Sequence, residues 1–151
     1  MKKNILRMFV VFTLILSCSL CLVACGNADK KKEEELAGKY ELTQLEYTVD
    51  EHTEVVTKAQ YEEMPDGPMK TVLSDYFGEY EVKLDDHKVW KGEDDMVTWK
   101  VSDGKLVVEP VEAKEGVTFS AEIVDGNIVI TYTDSSNTYF DTAKLTLAKV
   151  A

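Results

Sequence analysis

The 151-residue sequence carries 28 Asp plus Glu against 17 Lys plus Arg, a formal net charge of −11, with one arginine (Arg7) and three cysteines at positions 18, 21 and 25. So acidic a chain, with so little arginine, is a poor partner for nucleic acid, whose phosphates are contacted mainly by Lys and Arg. With every thiol in the first 25 residues, the remainder holds neither a disulfide nor a thiolate metal site and must fold on a hydrophobic core of single-domain size.

The chain opens with the basic residues Lys2, Lys3 and Arg7, runs uncharged from Met8 to Ala24, and turns abruptly polar after Gly26. A basic start, an apolar run and small residues before a cut describe a secretory signal. The run is near the short limit of a membrane-spanning helix, roughly 17–25 residues. It is interrupted by Ser17, Cys18, Ser19 and Cys21, and ends in Leu22-Val23-Ala24-Cys25 rather than in basic stop-transfer residues. That tetrad resembles the lipobox of bacterial lipoproteins. The resemblance implies cleavage between Ala24 and Cys25, a diacylglyceryl thioether on Cys25, and anchoring to the outer face of the cell membrane. Loss of residues 1–24 would leave 14 lysines against 28 acids, a formal charge of −14, which favours solubility and repulsion from anionic lipid heads. Cation or basic-peptide binding is the sharper alternative. Residues 25–35 read as the lipidated N-terminus and a polar tether, with a frayed helical turn where Lys30–Lys32 meet Glu33–Glu35.

Residues 36–151 form the expected β domain. From Gly38 the apolar period becomes two, with Tyr40 and Leu42 on one face. By Leu45, Tyr47 and Val49 the phase has switched, which predicts a bulge or strong bend. His52 falls in a polar loop. Thr57-Lys58-Ala59-Gln60 fits a capping box opening a short helix from Lys58 to Met64, stopped by Pro65. Pro68 can open a second helix through Met69, Val72 and Leu73, ended by Gly78. Strands follow near 79–85, 87–91, 95–101, 105–111, 117–124, 127–133 and 139–149, separated by turn residues that include Asp103-Gly104 and Asp125-Gly126. Asp-Gly suits type I′ hairpins, which need positive φ. The expected inward faces are Tyr80/Val82/Leu84, Val97/Trp99/Val101, Leu106/Val108, Phe119/Ala121/Ile123, Ile128/Ile130/Tyr132 and Leu145/Leu147. Eight strands joined by short hairpins give a mainly β, antiparallel up-and-down barrel, with a helical insertion between its first and second strands.

Gly38-Lys39-Tyr40-Glu41-Leu42, Thr98-Trp99-Lys100-Val101-Ser102-Asp103-Gly104-Lys105-Leu106 and Asp125-Gly126-Asn127-Ile128-Val129-Ile130 resemble the repeating phrases of small lipocalin-like lipoproteins of Gram-positive-type cell surfaces. The resemblance implies a lipocalin-like barrel and a surface address, with Tyr40 standing where lipocalins proper carry Trp. It implies no defined activity.

The chemistry-bearing residues are few. His52 and His87 are the only histidines, and Asp85-Asp86-His87 and Glu93-Asp94-Asp95 read as turns before they read as metal sites. No nucleophile elbow, zinc-protease motif or phosphate loop occurs, so the chain is read as a non-enzyme needing no cofactor. Tyr40, Trp90, Trp99, Phe119 and Tyr132, with Tyr80, are candidates for the barrel interior. They line a pocket for a small apolar or amphipathic ligand, or they fill a barrel whose interior is just wide enough for side chains. Met64, Met69 and Leu73 of the helical insertion are the matching candidates for a gate, or for a permanent plug. The two functional expectations are a membrane-anchored ligand-binding module, and a tethered protein-interaction or structural domain with a packed core.

Overall fold

The computed structural model describes residues 27–112, 114–135 and 140–150. Residues 27–36 are helical (α1). They are followed by β1 (Gly38–Val49), β2 (His52–Thr57), α2 (Lys58–Glu63), α3 (Pro68–Ser74), β3 (Glu79–Val82), β4 (Lys88–Lys91), β5 (Asp94–Ser102), β6 (Lys105–Pro110), β7 (Val117–Val124), β8 (Asn127–Asp134) and β9 (Thr142–Lys149).

The apolar alternation of these strands closes one antiparallel sheet around one core. The hydrogen-bonded order is β6-β5-β4-β3-β1-β9-β8-β7, with β2 paired to β1 off this path. The two ends of the order, β6 and β7, lie side by side, so the eight strands form a nearly closed up-and-down barrel. Each long hairpin is set by its turn. Asp103-Gly104 and Asp125-Gly126 all take positive φ (52°, 72°, 51° and 81°), as a two-residue turn matched to strand twist requires.

β1 is the strand on which the rest is assembled. Its first residues pair with β3 (Tyr40↔Tyr80), its later ones with β2 (Leu45↔Val56), and β9 runs along its other edge. The register against β9 shifts between Leu42 and Gln44. The bulge explains the phase switch in the sequence: on both sides of Thr43 the apolar residues point inward, so Tyr40, Leu42, Leu45 and Tyr47 are all buried. The Thr43 hydroxyl donates to the Thr146 carbonyl at 3.1 Å across the irregularity.

Three expectations differ from the fold. The loop containing His52 is a strand, β2, turned back from β1 through Asp50 and Glu51 at φ 46° and 67°. Leu84 lies beyond β3 and is exposed. The segment read as a tether is helical over 27–36 and bonded to the barrel.

Both ends of the barrel are covered. Strand direction puts the β3–β4, β5–β6 and β7–β8 turns at the end where β1 starts and β9 finishes. There α1 lies across the opening, with Leu36 buried in the core. The other end carries Tyr47 and Phe140, whose ring centroids are 4.4 Å apart. Here the α2–α3 excursion folds back and delivers Leu73 and Phe77 into the core, with Tyr76 against Phe140 at 5.5 Å. The capping box is formed as expected: Gln60 N–H donates to the Thr57 hydroxyl oxygen at 3.3 Å, and Thr57 N–H to Gln60 Oε1 at 2.9 Å. Pro68 occupies the first turn of α3. No helix among the described residues is long and apolar enough to cross a membrane.

Candidate functional site

The expected pocket residues separate into three groups. Tyr40 and Trp99 are in the barrel interior, buried to 1% and 3% exposure. Phe119 and Tyr132 are half-buried inner-face partners on β7 and β8, ring centroids 5.0 Å apart. Trp90 is outside. It pairs with Glu81 on the outer face beside the β4–β5 irregularity, donates its indole N–H to Asp86 Oδ2 at 3.1 Å, and is flanked by the ammonium groups of Lys83 and Lys88. The sequence pointed to the wrong face because Val89, the residue beside it, is the inward one.

The interior aromatics leave few polar groups for a ligand. Tyr40 donates its hydroxyl to the Leu36 carbonyl at 2.7 Å, Trp99 its indole N–H to the Lys83 carbonyl at 3.0 Å, and Tyr80 its hydroxyl to the Tyr76 carbonyl. Among the described residues no buried side-chain nitrogen or oxygen lacks a partner. Burial pushes the Tyr40 and Tyr80 phenols above their ordinary range. The Tyr47 phenol is pushed up to about 12 by burial, then by its hydrogen bond to Glu54 at 2.8 Å and the charge of that carboxylate.

The gate residues also divide. Leu73 is fully buried and Met64 is partly buried against the core, whereas Met69 points to solvent at 49% exposure. The apolar anchors of the excursion are Leu73 and Phe77, the latter stacked on Tyr61 at 4.4 Å. Leu22, Val23, Ala24 and Cys25 lie outside the described residues.

Three clefts open on the exterior among the described residues. One, about 370 Å³, lies over Lys39, Glu79, Glu81, Trp90 and Lys91. A second, about 240 Å³, lies between α2 and the sheet, lined by Glu41, Lys58, Tyr61 and Phe77. In it Lys58 donates to Glu41 at 2.6 Å, and this hydrogen bond and the carboxylate's charge raise the Lys58 ammonium above its usual range. A third, about 330 Å³, is bounded by His87, Trp99, Lys100 and Val107. Among the described residues no three His, Cys, Asp or Glu side chains are grouped to hold a metal ion.

Sequence reasoning missed the α1 clasp. Asp29 accepts from the backbone N–H of Asp103 and Gly104 at 3.2 and 2.9 Å, and Lys32 donates to the Gly104 carbonyl at 2.6 Å. Glu33 Oε1 accepts from Val101 N–H at 2.9 Å, and its other oxygen is 3.5 Å from His87 Nε2. Lys149 closes the clasp by donating to the Glu35 and Ala37 carbonyls at 2.7 and 2.9 Å. Asp29, Glu33 and Leu36 stand at i, i+4 and i+7, one stripe of a helix, which is the signal that could have revealed it.

In comparisons with protein-family models, curated proteins and solved structures, the chain matches none.

Proposed function

We propose that the chain is a lipid-anchored surface protein of the outer face of the cell membrane, held by Cys25, whose barrel is a filled, non-enzymatic domain that works through its exterior against a protein or envelope partner. The anchoring part rests on the lipobox-like Leu22-Val23-Ala24-Cys25 after an uncharged run. Two acyl chains hold a protein stably at a bilayer where one does not, at about 0.8 kcal/mol per buried CH₂.

The observation that carries the choice of a filled domain over a ligand calyx is the saturation of the interior. Tyr40, Tyr80 and Trp99 occupy the barrel with their polar tips already bonded to backbone carbonyls, and Leu73 and Phe77 seal one mouth. A pocket for an apolar ligand needs concave room with a few polar groups left to orient it. Native mass spectrometry of the purified chain tests the reading. A bare polypeptide mass is expected, and a stoichiometric co-purified small molecule would restore the calyx and overturn the filled-core reading. Palmitate incorporation tests the anchor: label is expected on the wild type and absent from Cys25→Ser.

A further inference from the structure

We infer that the α1 end of the barrel is apposed to the bilayer, held against the lipid headgroups in one orientation with the α2–α3 end pointing outward. The inference rests on lipidation of Cys25. Two independent observations select this end.

The first is reach. Asp29, Lys32 and Glu33 are fastened to residues 101–104, and Lys149 is fastened to the chain at residues 35 and 37. From Cys25 to Asp29 there are four residues, which span at most about 14 Å when fully extended. A lipid on Cys25 therefore lies within about that distance of the β5–β6 turn, less than a freely jointed ten-residue tether would allow.

The second is charge. Each end can be taken as its connections plus the terminal residue of every strand reaching it. The α1 end then holds seven lysines against eight carboxylates, and the opposite end four lysines against thirteen. The acidity of the domain is thus concentrated at one pole. An anionic leaflet attracts basic side chains by about 1 kcal/mol each and repels carboxylates, within a Debye length of about 8–10 Å. Eight-residue strands rising about 3.3 Å per residue and tilted by about 40° put the two ends about 20 Å apart. With the α1 end down, the acidic pole is beyond the reach of the surface potential. The reverse orientation would bring it to the surface and stretch the short link past its length. Apolar exposure does not distinguish the ends: Leu84 and Val124 are exposed at one, Met69 and Val49 at the other.

The lipidated full chain in vesicles of mixed zwitterionic and anionic phospholipid tests this. Cys25 is the last cysteine of the sequence, so Leu84→Cys at the α1 end and Glu93→Cys at the opposite end each supply one free thiol for a fluorophore. With a quencher on the lipid headgroups, the Leu84 reporter should be quenched several-fold more than the Glu93 reporter. Equal quenching at both positions, with palmitate still on Cys25, overturns the apposition and leaves the anchoring intact. Absence of palmitate overturns both. In a chain also carrying Asp29→Ala and Glu33→Ala, the difference should collapse while the melting transition persists; a difference that survives a released α1 shows that the clasp does not set the orientation.

Discussion

Trp99→Ala is the sharpest probe of the filled barrel. Trp99 is 3% exposed on β5, between the buried inward residues Val97 and Val101, with the His87 ring 5.5 Å away. An aromatic of this size buries about 150–250 Å², worth about 4–6 kcal/mol at 25 cal/mol per Å². Partial collapse of the cavity brings the expected cost to about 3–5 kcal/mol. The Lys83 carbonyl, which accepts the indole N–H at 3.0 Å, is left without that partner, adding about 1 kcal/mol. For a domain of this length, 1 kcal/mol moves the melting temperature by about 3–5 °C. The total, about 4–6 kcal/mol, should therefore lower the transition by about 12–30 °C, read by far-UV circular dichroism and by the urea midpoint. Trp99→Phe keeps most of the ring and loses the N–H, and should cost about 1–2 kcal/mol. A melting temperature for Trp99→Ala within two degrees of wild type would mean that the barrel has room to spare around β5, and the filled-core argument would fail.

If the helical excursion is a permanent plug, Leu73→Ala should cost about 2–5 kcal/mol and Met69→Ala, at an exposed site, less than about 0.5 kcal/mol. Equal effects, or a folded Leu73→Ala domain that takes up a hydrophobic dye with no loss of stability, would mark a gate instead. The Tyr47 phenol titrates near 10 in the unfolded chain and is pushed up to about 12 when folded. Its contribution to stability is complete below pH 10 and is lost as pH rises toward 12. The urea midpoint should fall over that window, with a smaller fall in Tyr47→Phe; an identical slope in the variant would contradict the assignment. Residues 27–151 expressed without the N-terminal segment should fold as a mostly β protein, and a disordered circular dichroism spectrum would refute this.

The barrel was legible because its signals are local. Alternating apolar residues, the Asp103-Gly104 and Asp125-Gly126 turns and the Thr57–Gln60 box each act within a few residues, and all occur where expected. The phase switch around Thr43 announced its bulge for the same reason. β2 was not legible, because its turn places Glu51 at φ 67°, a conformation Glu rarely adopts and no turn rule anticipates. Trp90 was misplaced although the alternation along β4 is regular: Val89, opposite the buried Val82, takes the inward place, so Trp90, opposite Glu81, faces out. The α1 clasp was hidden for a related reason: its carboxylates look like solvated charge until the free amides of residues 101–104 are brought to them across about seventy residues of chain. Of the candidate interior residues, Tyr40, Tyr80 and Trp99 are buried in the core, and Phe119 and Tyr132 pack against it from β7 and β8.

The arrangement of β1 also sets the order in which the domain can be completed. β1 comes first among the strands and β9 last, yet Tyr40 pairs with Lys149. A chain synthesised at about 5–20 residues per second exposes β1 for about 5–20 s before its second neighbour exists. During that interval β2 and β3 protect only one edge of β1. Closure joins residues about a hundred positions apart, the long-range pairing that slows β-barrel folding. The pairing of β1 with β9 can therefore be completed only once the last strand is made, and a truncation of that strand leaves β1 as an open edge prone to pairing with a neighbouring copy.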